Sequence, residues 1–304
     1  MHHNSVSSIR DGIRIAGCDI GTEFIQKERG IIMEKVQPLR FTQDYHIHTY
    51  LSSCSSDPEQ TPARILEYAH ENGLEEVCIT DHLWDAAVPG ASDWYRPQDI
   101  AHVRENLPLP ADPKVRMHFG CETDMDRNFR LGLSEEHFDI FEFIIVPTTH
   151  LHMRGFTISE EDWGDLSKRR ALVIERLDRL LDGKYPFRKM GLAHMTCPLA
   201  AGYENQWENH IRLFAGIPDH IYEEQFKKAA GLGIGIELNA PINDYQEQEL
   251  EQILRPYRIA KACGCKFYFG SDAHHPDQFQ KTAEEHAAWV RELALTEADR
   301  FLVF

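Results

Sequence analysis

The chain has 304 residues, 42% of them hydrophobic and 27% charged, and a formal net charge of −17. That is enough apolar material for a sizeable core, in one large domain or two ordinary ones. The acidity disfavours non-specific binding to nucleic acid or anionic membrane, and no run of 18 apolar residues offers a membrane span.

Residues 1–40 carry scattered glycines and charges with no firm periodicity and no apolar stretch of signal-peptide length. They read as a poorly ordered N-terminal extension, with Met33 a candidate start, ahead of a domain over 41–304. His2-His3 is given no role. A strand is expected over 41–47, then a helix over 61–73 with Thr61 to cap it, Pro62 in its first turn and Gly73 to stop it. A strand over 75–80, a helix over 97–106 and strands over 115–122 and 140–148 follow. The spacing of Ala171, Ile174, Leu177, Leu180 and Leu181 predicts a long amphipathic helix over 159–183. Next come strand 189–195, helix 219–230, strand 233–239, helix 245–263, strand 266–271 and helix 277–293, with a short last strand over 301–304. Stretches 83–96 and 197–217 contain Trp84, Trp94, Tyr95, Tyr203 and Trp207 and read as long aromatic loops suited to covering a substrate. Repeated β-α alternation implies parallel strands with crossover helices. A closed or nearly closed barrel is favoured over a doubly wound open sheet, because so many helices exceed one layer.

Seven cysteines at irregular spacing (Cys18, Cys54, Cys78, Cys121, Cys197, Cys263 and Cys265) do not suggest a disulfide framework. A reducing, cytoplasmic setting is expected. Cys263-Gly-Cys265 is too weak a motif to mark a site.

The polar residues that carry chemistry fall where strands end: His46 and His48, Asp81-His82, Glu122, His150, His194, Glu237, and Asp272 with His274. Residues two apart in a strand point the same way, so His46 and His48 can grip one ion. Catalytic residues of parallel α/β barrels sit at the C-terminal strand ends. A lone His in such a place is usually a hydrogen-bonded structural residue. Seven successive strand ends bearing His, Asp or Glu are not explained by rim polarity, since a buried carboxylate without a partner is costly and a metal ion removes that cost.

The segments DYHIHTYLSSCS (44–55), ITDH (79–82), GCETD (120–124), VPTTH (146–150), GLAHMTCP (191–198), GIELNA (235–240) and FGSDAHHP (269–276) resemble, in order, those of the PHP superfamily, the polymerase and histidinol phosphatase type of metallohydrolase. The resemblance is nearest the histidinol-phosphatase branch, through GSDAHHP and ELNA. It implies a distorted seven-stranded (β/α) barrel of TIM-like form holding two or three divalent ions, zinc, manganese or iron. His46, His48, Glu122 and Asp272 resemble the ligands of the first ion. Glu122 would bridge to a second, with His150 and His194, and His82 and His274 would hold a third. The family places a His at the position of Cys54. A thiolate there either binds zinc or leaves the third site weak.

The implied activity is hydrolysis of a small phosphate monoester, histidinol phosphate in histidine biosynthesis being the family's suggestion. A hydroxide held between the ions would attack phosphorus in line. Asp81, Asp272 and His274 are assigned to catalysis, Asp81 as a partner that orients a ligand imidazole or as a proton carrier. Arg154, His275 and Asn239 are the candidates for binding substrate. Lys168, Arg169 and Arg170 are further cations that solvent-facing helix charge explains equally well, and His152 reads also as an exposed loop residue. Glu237 is expected to line the pocket or to accept a hydrogen bond behind a ligand. Two readings stay open beside this one: a phosphodiesterase or other hydrolase on the same centre, and a metal-binding regulatory module without catalysis.

Overall fold

The computed structural model describes residues 37–304 except 56 and 240. Residues 1–36, and with them the Met33 start and most of the expected extension, lie outside the described residues. Leu39, inside the stretch expected to be loose, is buried, and its N–H donates to the Leu295 carbonyl.

The strands are β1 (Gln43–Ile47), β2 (Glu76–Ile79), β3 (His82–Leu83), β4 (Arg116–Thr123), β5 (Phe143–Pro147), β6 (Met190–Ala193), β7 (Gly235–Leu238) and β8 (Lys266–Phe269). All named pairings are parallel, in the order β1-β2-β4-β5-β6-β7-β8, with two-residue β3 on β4. The first and last strands meet beyond β8. Asp272 N–H donates to the His46 carbonyl at 2.7 Å, and His48 N–H donates to the Ala273 carbonyl at 3.0 Å. The seven main strands thus form a nearly closed barrel, and the open-sheet alternative is set aside.

The helices are α1 (Pro62–Asn72), α2 (Ile100–Val103), α3 (Leu166–Asp182), α4 (Gln206–Ala215), α5 (Asp219–Leu232), α6 (Glu247–Ala262) and α7 (Thr282–Glu292). Their boundaries follow local chemistry. The Thr61 side chain accepts the Arg64 N–H, and Gly73 takes a left-handed φ of 65° that closes α1. Helix α3 starts later than periodicity suggested, because the Asp165 side chain caps it by accepting from Ser167 and Lys168 N–H. The expected loop 197–217 instead contains α4. That helix is entered from Asn205 at a φ of 46° with no side-chain cap, so the sequence carries no start signal. The last four residues form no strand, although Phe301 N–H donates to the Phe267 carbonyl. No helix among the described residues is long and apolar enough to cross a membrane.

One irregularity positions the site. Between Asp44 and Ile47 of β1, three steps of chain match two of β2 (Val77 to Ile79). Such a bulge changes the phase of the strand. Tyr45 packs into a cluster with Phe143, Ile145 and Tyr268, while the adjacent His46 and then His48 reach the rim.

Candidate metal centre

At the C-terminal rim, four overlapping groups of side chains hold their ligand atoms within 4.8 Å of one another. They are His46, His48, Glu122 and Asp272; Glu122, His150 and His194; His48, His82 and His274; and His46, His194 and Glu237. Hydrogen bonds behind the imidazoles decide which nitrogen faces the centre. His46 Nδ1 donates to Glu237 Oε1 at 2.6 Å. His48 Nδ1 donates to Ser52 Oγ at 3.0 Å, and the Ser52 hydroxyl in turn donates to Asp81 Oδ1 at 2.7 Å. Both Nε2 atoms therefore present lone pairs, yet they lie only 3.0 Å apart. His150 Nδ1 donates to Asp124 Oδ2 at 3.0 Å, and His274 Nδ1 to the Asp272 carbonyl at 2.7 Å, so each of these rings also keeps Nε2 as an acceptor.

The carboxylates converge on the same point. Glu122 Oε2 lies 3.4 Å from His46 Nε2 and 3.3 Å from His48 Nε2, and Oε1 lies 3.3 Å from His194 Nε2. Asp272 Oδ1 lies 3.1 Å from His48 Nε2 and 3.3 Å from His46 Nε2. Both oxygens of buried Glu122 and Nδ1 of buried His82 make no well-formed hydrogen bond, although His82 Nδ1 lies 3.0 Å from Glu122 Oε2. Lone pairs facing lone pairs in a buried site, with orphaned carboxylate oxygens among them, is an arrangement that divalent cations satisfy. The donor set of imidazole and carboxylate suits zinc, manganese or iron.

Without cations the charges lean on one another. Burial would raise the Glu122 carboxyl, but the His82 and His46 imidazoles outweigh it and hold it well below the usual carboxylate range. Burial would lower His46, but Glu237, Asp272 and Glu122 overcome that and raise it well above an ordinary imidazole. His274 is pushed down to about 4, first by burial and then by neighbouring His48. Two residues of these groups also carry backbone strain. His194 and Asp272 adopt φ of 23° and 53°, a left-handed conformation costing about 1–3 kcal/mol for residues with a Cβ.

Three supports escaped the sequence reading or were only half seen. Glu237 accepts from His46 with one oxygen and from the His194 N–H with the other, at 2.6 Å each. Gly270 makes room for it: a Cβ there would collide with Glu237 Oε1 and stand 2.6 Å from His46 Cβ. Buried Asp124 collects His150 Nδ1, the Tyr95 hydroxyl at 2.9 Å and fully buried Arg176 at 3.3 Å. Nothing local in GCETD marks Asp124; its role comes from partners on three other segments.

Other expectations need correction. Asp81 accepts Thr49 N–H and Ser52 O–H on one oxygen and Thr49 O–H and Asn106 N–H on the other. Its acceptor positions are thus occupied, and through the Ser52 hydroxyl it stands behind His48 Nδ1. Cys54 lines the same cavity as His82 and His274 but belongs to none of the four ligand groups. His48 takes that third place, although its Nε2 already faces Glu122 and Asp272.

Arg154, His275 and Asn239 do not line the cavity. Arg154 Nε pairs with Glu160 at 2.5 Å, His275 Nε2 with Asp57 at 2.6 Å, and Asn239 donates to the Gly270 carbonyl at 3.1 Å. Arg169 and Arg170 donate to backbone carbonyls, and Lys168 is exposed. His152, in contrast, does line the cavity.

The sequence model of the family described as PHP domain matches residues 44–240. A curated histidinol-phosphatase of Lactococcus lactis subsp. lactis (strain IL1403) is 27% identical over 92 residues, 30% of this chain and 33% of that protein. The chain thus aligns with about a third of the length of this curated relative. Among solved structures, a histidinol phosphate phosphatase from the same organism, in complex with zinc, L-histidinol and phosphate, superposes with a TM-score of 0.53 at 16% identity, covering 86% of this chain and 98% of that one. Similarity at that identity establishes a shared fold.

Proposed function

The chain belongs to the PHP domain family, and we propose that it is a metal-dependent phosphatase of small phosphate monoesters. The observation that carries this reading is the convergence of His46 and His48 Nε2 with the unpartnered Glu122 oxygens and Asp272. His46, His48, Glu122 and Asp272 would hold one ion, and Glu122, His150 and His194 a second. Bound divalent ions supply Lewis acidity and lower the pKa of a coordinated water to about 7.

The protein's own residues do the rest. Glu237, Ser52 and Asp124 accept from Nδ1 of His46, His48 and His150, which leaves Nε2 of each as the nitrogen that would meet an ion. With no Arg or Lys among the described residues lining the cavity, an anionic phosphoryl group would find its counter-charge at the ions. The cavity, about 160 Å³, is smaller than the roughly 300–1,000 Å³ of pockets for drug-sized ligands, which favours a small monoester over a polymeric diester.

The test is direct. Protein loaded with Zn²⁺ or Mn²⁺ is expected to release phosphate from generic monoesters, and chelation is expected to abolish the release. Histidinol phosphate enters the assay because the Lactococcus protein's name supplies it. Bound metal with no turnover across monoesters, diesters and amides would instead favour a regulatory module.

A further inference from the structure

Resting on the phosphatase reading, we infer that the organic part of the substrate is uncharged and flat or apolar, and that Trp94 selects it. Beyond the ligand groups, the cavity wall consists of Trp94, Tyr95, Met153, Leu199, His152 and Cys54. None of these brings a fixed charge. The cavity's carboxylates, Glu122 and Asp272, are committed to the ligand cluster.

No carboxylate besides Glu122 and Asp272 is among the described residues lining the cavity. Asp124 faces His150, Tyr95 and Arg176. Asp57 faces His275, and Glu160 faces Arg154. An ammonium on the leaving group would lose water without gaining a carboxylate, and a carboxylate on it would find no guanidinium. A cation–π contact with a partly exposed ring returns less than that desolvation takes.

An uncharged ring meets the opposite situation. Trp94 is 37% exposed, and its neighbours hold it in place: Tyr95 meets it at 4.7 Å and 86°, and His82 at 5.0 Å and 70°. Tyr95 itself is fully buried and tied to Asp124. An aromatic anchored so rigidly at the mouth of a cavity offers apolar contact at small entropic cost. Met153 and Leu199 supply further apolar contact on the same wall.

The experiment is calorimetry of the metal-loaded protein with three unreactive phosphonates: phenylphosphonate, propylphosphonate and 2-aminoethylphosphonate. They are expected to bind in that order, with phenyl over aminoethyl by about tenfold or more, as desolvation of an unpaired charge requires. Trp94→Ala should cut the phenyl advantage to within about threefold while leaving metal content unchanged. Benzyl phosphate and O-phosphoethanolamine, both alkyl esters, should show the same preference in kcat/KM. Equal or tighter binding of the aminoethyl compound, or an unchanged ratio in the variant, overturns the inference. Phosphonate binding in the expected order without turnover of any ester sinks the phosphatase reading instead, and leaves the selectivity of the cavity standing.

Discussion

Glu237 Oε1 stands 2.6 Å from His46 Nδ1, and the other oxygen of that carboxylate takes the backbone N–H of His194, also at 2.6 Å. One buried group on β7 therefore faces the ring of one candidate ligand on β1 and the backbone of another after β6. Glu237→Gln keeps the shape but turns one acceptor into a donor, which must oppose one of the two N–H groups. Metal affinity is expected to fall about 10–100-fold with the circular dichroism spectrum unchanged. Titration with Zn²⁺ against a competing chelator measures it, and wild-type affinity would show that the carboxylate does not orient the ligands.

Gly270 is the steric complement of that carboxylate. Gly270→Ala drives a methyl group into Glu237 and His46 and should lower the stability read from urea unfolding by about 1–3 kcal/mol, with loss of bound metal. Gly231→Ala is the control. It lies near the end of α5 with nothing within 4 Å of a new Cβ and should be stabilising by about 0.5–1 kcal/mol.

His194 separates function from strain. Removing it or Asp272 should reduce turnover by orders of magnitude with the barrel intact, because both sit on the rim. The φ of 23° at His194 adds a finer expectation. His194→Gly should be at least as stable as His194→Ala despite glycine's larger unfolded entropy, since glycine alone takes that conformation without a Cβ clash. Thermal melts of the two apo variants decide the point, and a clearly more stable alanine variant would contradict the strain.

His286 governs part of the acid limb of stability. It is buried on α7 between Phe41 and Phe269, and burial pushes its imidazole down from 6.5 to about 3. The folded state thus disfavours the proton that the unfolded chain accepts. This contribution is fully present above pH 6.5 and is lost as the pH falls from there toward 3. At about pH 4.5 the loss amounts to about 2–3 kcal/mol. His286→Leu should flatten urea midpoints over that window; an unchanged acid slope would place the titration elsewhere.

Some of this was legible along the chain. Thr61, Pro62 and Gly73 mark helix α1 because caps act over four residues. Alternating strand and helix patterns name a parallel barrel because each pattern is local. Metal-ligand types at successive strand ends locate the rim, since the barrel fold itself brings strand ends together. The bulge that turns both Tyr45 and His46 to use, the 191-residue reach from His46 to Glu237, the gathering of Tyr95, His150 and Arg176 on Asp124, and the diversion of Arg154 to Glu160 carry no local signature. Each depends on which side chains a closed barrel brings within about 3 Å, and hydrogen-bond geometry at that range exists only after the chain has folded.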